Sequence, residues 1–308
     1  MFHNLDPTIK PKGLKEFLKW QFTTRRPKWP KAVQIPKTDT PPPKVIGDKI
    51  RVSFVGHVTF LLQFEGLNII TDPVWSKTAS PFSFIGPKRI TPPGIRFNDL
   101  SKIDYILVSH NHYDHMDIPT IKELCRRDNP VIVAPLMNEI TIKKHIPQAK
   151  VITLNWFEKD LIENNIEICL EPAQHWSARG LFDRNEALWG TFIIKTPSGS
   201  ICFIGDTGYS KQMFTDIGNK YDILLSLLPI GAFEPRWFMQ GIHMNPEEAV
   251  LAHQDLRSKY SIASHFNTFP LAADDYNQAL EEFKTARDKY RITEGTFIAP
   301  QVGEVYWF

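Results

Sequence analysis

The densest chemistry in this chain lies in seven consecutive residues, Ser109-His110-Asn111-His112-Tyr113-Asp114-His115. Three imidazoles and a carboxylate so close together are the ligand types that suit zinc, iron or manganese. No regular element aims all four at one ion. On a helix, His110 and His112 point about 200° apart. On a strand, His110, His112 and Asp114 share a face from which His115 turns away. A loop wrapped around two adjacent ions satisfies all four. Such a pair lowers the pKa of a bridging water, so that hydroxide exists at neutral pH, and clamps the oxygens of an anionic substrate.

The elements that must position this loop are legible around it. Residues 103–108 (Ile-Asp-Tyr-Ile-Leu-Val) are short, apolar and β-branched and read as a buried strand. Beyond the loop, Pro119 and the spacing of Ile118, Ile121 and Leu124 open a helix. The cluster therefore stands at the carboxyl end of a strand, where open α/β sheets keep their sites. Three more expected strands, 166–171, 201–204 and 260–263, run into His175, Asp206 and His265. A lone histidine or aspartate at a strand end usually serves a hydrogen bond. Together the four ends offer five histidines and two aspartates, enough for two ions with open positions. Asp206 lies in Gly205-Asp206-Thr207-Gly208, whose small neighbours let it sit between ions as a bridge.

The whole chain sets the frame. At 308 residues, 42% hydrophobic and 12% aromatic, it has ample material for a sizeable core. A net charge of +2 argues against a dedicated nucleic-acid binder. Cys125, Cys169 and Cys202 are scattered, suit a reducing compartment and read as core fillers. The opening residues lack a signal-peptide apolar stretch, and no run approaches the ~18 apolar residues of a membrane span, so the expectation is a soluble cytoplasmic protein. Charge is concentrated at the start: residues 1–31 carry Lys10, Lys12, Lys15, Lys19, Arg25, Arg26, Lys28 and Lys31 against Asp6 and Glu16. Leu14, Phe17, Leu18, Trp20, Phe22 and Trp29 lie among them. A basic helix with aromatics on its other side is the pattern of a segment lying on anionic lipid. An amphipathic helix packed on the domain accounts for it as well. Peripheral membrane contact through residues 1–31 is thus one partner expectation, and a homodimer is another.

Residues 36–44 (Pro-Lys-Thr-Asp-Thr-Pro-Pro-Pro-Lys) read as a stiff, solvated connector between an arm, 1–44, and a catalytic domain, 45–308. Strands are expected at 50–55, 59–64, 68–71, 131–134, 151–154, 188–195, 222–228, 296–299 and 302–307. Helices are expected from Asn245-Pro246-Glu247-Glu248 and around Tyr276, Ala279, Leu280 and Phe283. The Pro/Gly-rich stretch 74–99 reads as functional rather than disordered, a wall or a lid of the site. His57 and Asp72 are read as orienters of ligands, and His3, His145 and His253 as surface residues. Tyr113, Trp176, Arg179, Arg236 and Trp237 could line a substrate groove, the arginines facing phosphate and the aromatics an acyl chain or ammonium group.

The pattern His110-x-His112-x-Asp114-His115, followed by His175, Asp206 and His265, resembles the metallo-β-lactamase superfamily. Within it, longer stretches resemble the N-acylphosphatidylethanolamine-hydrolysing phospholipase D family. They include Thr71-Asp72-Pro73, Gly86-Pro87-Lys88-Arg89, Gln174-His175-Trp176, Leu188-Trp189-Gly190, Gly205-Asp206-Thr207-Gly208-Tyr209, residues 229–239 and residues 245–250. The resemblance implies an α/β protein, an αβ/βα four-layer sandwich with a dizinc site at one edge, iron or manganese being alternatives. It implies that His110, His112 and His175 hold one ion, that Asp114, His115 and His265 hold the second, and that Asp206 bridges them. It implies a phosphodiesterase that hydrolyses N-acylphosphatidylethanolamine-type phospholipids to phosphatidic acid and N-acylethanolamine through a bridging hydroxide. Asp114 would orient that hydroxide, and His243 is the candidate donor to the leaving oxygen. A lactone, ester or soluble phosphodiester is the alternative substrate for the same site. The chain departs from the family's pattern at Phe266-Asn267-Thr268-Phe269 and at Ile242, changes that bear on headgroup choice.

Overall fold

A computed structural model describes residues 1–9, 12–82 and 84–308. Lys10, one of the arm's cations, and the Leu14 side chain lie outside the described residues and groups. The chain begins with α1 (Leu14–Thr23), β1 (Arg51–Gly56), β2 (Thr59–Phe64), β3 (Leu67–Thr71), β4 (Tyr105–Leu107), α2 (Ile118–Asp128), β5 (Val131–Pro135), α3 (Asn138–His145) and β6 (Lys150–Leu154). Then come β7 (Lys159–Leu161), β8 (Glu167–Glu171), β9 (Thr191–Thr196), β10 (Gly199–Phe203), α4 (Lys211–Lys220), β11 (Ile223–Pro229) and α5 (Arg236–Met239). α6 (Pro246–Asp255), β12 (Tyr260–Ser264), α7 (Gln278–Tyr290), β13 (Phe297–Ile298) and β14 (Val305–Trp307) complete it.

The strands form two seven-stranded mixed sheets, ordered β14-β1-β2-β3-β4-β5-β6 and β13-β12-β11-β10-β9-β8-β7. Alternation along the strands explains why the sheets stack. In β2, Phe60, Leu62 and Phe64 enter the core shared with Ile168, Phe192 and Phe203 of the second sheet. Leu61 points the other way, into a cluster with Ile121 and Leu124 of α2 and Ile142 of α3. On the far side, Phe214 of α4, Val250 of α6 and Phe283 of α7 cover the second sheet. Each such buried side chain contributes roughly 1.5–3 kcal/mol relative to its exposed state. The layers are therefore αβ/βα, as expected. The start of α6 forms as its sequence dictates: Asn245 Oδ1 accepts from Glu248 N at 2.8 Å and Glu248 Oε2 accepts from Asn245 N at 2.9 Å.

Several expectations are corrected. The connector is exposed along much of its length but is tied to the first sheet at particular points. Asp39 and Pro41 are buried, and Asp39 pairs with Arg51 at 2.6 Å and accepts from Ser53 Oγ at 2.7 Å. Gln63 and Asn68 also donate to the carbonyls of Pro42 and Pro43, both at 2.8 Å. The strand expected from Leu188 begins at Thr191, because Leu188 N donates to Leu136 O across the sandwich at 2.9 Å. His253 is buried rather than exposed, with Nδ1 2.8 Å from Ser261 Oγ. The 74–99 stretch is pinned as a wall by Arg89, which donates to Val74 O at 2.7 Å and Ser76 O at 3.1 Å and stacks over Phe269.

Candidate metal centre

The histidine-rich loop follows β4 and is stitched from both sides. At the end of β3, Asp72 Oδ1 accepts from Ser109 N at 2.7 Å. Its Oδ2 accepts from Ser109 Oγ at 2.5 Å and lies 2.6 Å from His115 Nδ1. Asp72 is fully buried, so His115 is held with Nε2 facing inward. From the outer side, Arg179 Nη1 donates to Asn111 O at 2.7 Å and to Met116 O at 2.9 Å. Its guanidinium lies over the Tyr113 ring, and Tyr113 Oη donates to Arg179 O at 2.7 Å.

The expected ligand set converges in two halves. His110 Nε2 lies 2.8 Å from His112 Nδ1, and His175 Nε2 lies 3.3 Å from that same atom. In the second half, Asp114 Oδ2 lies 3.3 Å from both His115 Nε2 and His265 Nε2. Asp206 stands between the halves, its Oδ2 3.1 Å from His115 Nε2, 3.2 Å from His265 Nε2 and 3.9 Å from His175 Nε2. Gly205 makes that approach possible. Its φ is +67°, and a Cβ there would lie 2.5 Å from Ser109 Cβ.

The donor set fits metal ions. Three ring nitrogens facing one another cannot all be paired by shared protons, yet they are buried. Their spacing approaches the ~3.3 Å edge of a tetrahedron with ~2.0 Å metal–nitrogen bonds. Asp206 Oδ1 is buried without a hydrogen-bond partner, an expense that a cation removes. His175 Nδ1 is occupied by Ile242 O at 2.9 Å, which fixes the tautomer that leaves Nε2 free to ligate.

Electrostatics divide the two halves. Burial, with repulsion from neighbouring imidazoles, holds His110 and His112 well below the usual histidine range, and burial takes His175 to about 4. For His115 and His265 burial acts in the same direction but is overcome by Asp206 and Asp114. His115 is raised well above its usual value and His265 to about 9. The carboxylates hold both rings toward the protonated form in the metal-free protein, and the ion pairs of His265 weaken as pH rises through about 9. Metal binding must displace these protons. Titrating metal into the metal-free protein at pH 7 in buffers of different ionisation heat is expected to show proton release, with affinity for the second half rising from pH 6 to 9. A pH-independent affinity would contradict this division.

His243 is brought to the site, Nδ1 3.8 Å from Asp206 Oδ2. Burial pushes it down to about 3 despite the pull of Asp206, so it is a neutral imidazole at pH 7. A neutral imidazole keeps one ring N–H, the group that the expected donor role of His243 would use. Trp176 lines the site with its ring 4.5 Å from His112. Trp237 is part exposed beneath Lys19, at the rim. Arg179 uses Nη1 on the two loop carbonyls. Arg236 commits both Nη1 and Nη2, pairing with Glu248 at 2.7 Å and donating to His243 O at 3.0 Å, so it presents no free fork to phosphate. His57, read as an orienter, has Nε2 2.9 Å from Asp114 Oδ2. Asn4, behind His175, has no counterpart in the sequence reading: its partners lie 171 and 185 residues away, beyond any local pattern.

Comparison with known proteins identifies the family. Residues 67–266 match the family described as the beta-lactamase superfamily domain. The chain is 38% identical over 268 residues to the N-acyl-phosphatidylethanolamine-hydrolyzing phospholipase D 1 of Caenorhabditis elegans, covering 82% of this chain and 74% of that one. It is 32% identical over 237 residues to a metal-dependent hydrolase of Pyrobaculum islandicum, covering 77% and 91%. A metallo hydrolase structure from Ignicoccus hospitalis superposes with a TM-score of 0.62 at 24% identity, covering 84% of this chain and 98% of that one. The chain belongs to the beta-lactamase superfamily, as a metal-dependent hydrolase of the metallo-β-lactamase fold.

Proposed function

We propose that this hydrolase is a zinc phosphodiesterase that cleaves N-acylphosphatidylethanolamine-type phospholipids to phosphatidic acid and N-acylethanolamine. The observation that carries the reading is the seven-donor site, with Trp176 against His112 and Arg184 over the Trp176 ring. Similarity to the nematode phospholipase supports the lipid substrate. His110, His112 and His175 would hold one zinc, and Asp114, His115 and His265 the other, with Asp206 shared. Two such ions supply Lewis acidity toward the phosphate and a water activated at neutral pH. The chain's own groups do the rest. Asp114, steadied by His57, orients the nucleophilic side, and His243 hydrogen-bonds the departing oxygen from the other. Trp176 offers an apolar face for the part of the lipid next to the phosphate.

The rim supports action at a surface. Leu181, Phe182 and Phe22 are 91%, 92% and 85% exposed, with Leu18 and Trp237 part exposed. Arg184 Nη2 donates to Lys12 O at 2.8 Å, tying the Leu181-Phe182 loop to the basic arm. Trp20 turns inward, stacked on Phe238, so α1 packs with one side and offers Leu18 and Phe22 outward. Among the described residues no helix is long and apolar enough to cross a membrane. Anionic lipid is the partner this mixture of cations and apolar tips fits. Changing Leu181 and Phe182 together to Asp is expected to lower co-sedimentation with anionic vesicles at least tenfold while leaving hydrolysis of detergent-dispersed substrate within about threefold; unchanged co-sedimentation would remove the membrane reading. Comparing turnover on vesicles with turnover on soluble esters and phosphodiesters tests the substrate class. Faster turnover of the soluble compounds would favour a soluble-substrate hydrolase instead.

A further inference from the structure

The extreme amino-terminal segment, residues 2–9, reaches behind the metal centre. Asn4 is buried, and its Oδ1 accepts from the backbone N–H of His175 at 3.0 Å and from Trp189 Nε1 at 3.2 Å. Asn4 Nδ2 donates to Ile9 O at 3.3 Å within the segment, and Phe2 N donates to Asn185 O at 2.7 Å, which ties its start to the domain. Ile9 in turn abuts Gly241, with its Cγ2 3.5 Å from where a Cβ would stand. Gly241 precedes Ile242, whose carbonyl holds His175 Nδ1 at 2.9 Å.

His175 follows β8 on an irregular stretch, so its aim depends on what each backbone group there meets. Gln174 N donates to Thr207 Oγ1 at 2.8 Å, and Gly208 N donates to Gln174 O at 2.8 Å. Trp189 Nε1 has a second acceptor in Ala173 O at 2.9 Å. The partner of His175 N is Asn4 Oδ1. His175 is fully buried, so loss of that acceptor leaves a buried N–H to be satisfied.

We infer that Asn4 is a positioning residue of the metal centre, holding His175 in the orientation that completes the His110/His112 half, and that residues 2–9 belong to the site rather than to a separable arm. The inference rests on the metal-site reading above. Its test measures metal affinity directly, so it is independent of turnover. Zinc is titrated into metal-free wild-type protein, Asn4→Leu and Asn4→Asp under competition with a chromophoric chelator, with far-UV circular dichroism as the folding check. Asn4→Leu keeps size and removes the acceptor; Asn4→Asp keeps the acceptor. The expected result is affinity of the tighter site at least tenfold weaker in Asn4→Leu and within about threefold of wild type in Asn4→Asp, in the range found when partners of ligating histidines are removed. Should Asn4→Leu not fold, Asn4→Ser withdraws the acceptor by shortening and is read the same way. Wild-type affinity in the variant lacking the acceptor would overturn the inference, as would an equal loss in Asn4→Asp, which would assign the effect to packing. Absence of zinc binding by the wild-type protein would instead overturn the metal-site reading.

Discussion

Replacing Asp206 with alanine is expected to cut hydrolysis by at least on the order of 10²–10³-fold and to lower bound metal from two ions per chain toward one. Its Oδ2 lies 3.1 Å from His115 Nε2 and 3.2 Å from His265 Nε2 and reaches His175 Nε2 at 3.9 Å, so this one carboxylate stands between the two halves. Its Oδ1 is buried and unpartnered, an arrangement worth keeping only if something else takes that oxygen. Without the carboxylate, His115 and His265 lose a partner that raises both, and two cations so close would lose the shared anion between them. Metal content by inductively coupled plasma mass spectrometry, read beside turnover, separates loss of an ion from loss of fold. Full activity with two ions would refute the bridging role.

Asp72→Ala should act through both stability and metal. The carboxylate is fully buried and accepts from the backbone and hydroxyl of Ser109 while holding His115 Nδ1. Removal strands a buried N–H and releases the ring that it orients. Breaking a buried, paired charge of this kind costs about 3–5 kcal/mol. Loss of the orienting partner is expected to weaken the second metal 10–100-fold. Urea unfolding of the metal-free protein and chelator competition measure the two separately. A stability change below about 1 kcal/mol with unaltered metal affinity would show that Ser109 and the loop hold His115 unaided.

The fold and the convergence of the candidate ligands were legible because they rest on local pattern. His110 to His115 declare themselves by type and spacing, and the apolar runs before His175, Asp206 and His265 announce strands whose ends meet. The two-layer alternation in β2 follows from the same period. What was not legible depends on distant partners. Arg179 and Arg236 are the residues a phosphate would want, but a guanidinium serves a loop carbonyl or Glu248 equally well, and only packing decides. His243 lies at the site as expected, yet its neutrality comes from burial, which its sequence neighbours do not reveal. In the arm, Trp20 and Phe22 are two positions apart and face opposite ways. Residues 36–44 looked like a solvated spacer because proline favours one; Asp39 and its buried arginine also hold them to the first sheet.

The most direct test of the substrate assignment is mass spectrometry of products from N-acylphosphatidylethanolamine vesicles, with zinc-replete protein in water enriched in oxygen-18. Attack on phosphorus with loss of the alcohol predicts N-acylethanolamine without label and phosphatidic acid carrying one labelled phosphate oxygen. Free fatty acid with a lysophospholipid, or intact lipid in the presence of fully metal-loaded protein, would contradict it.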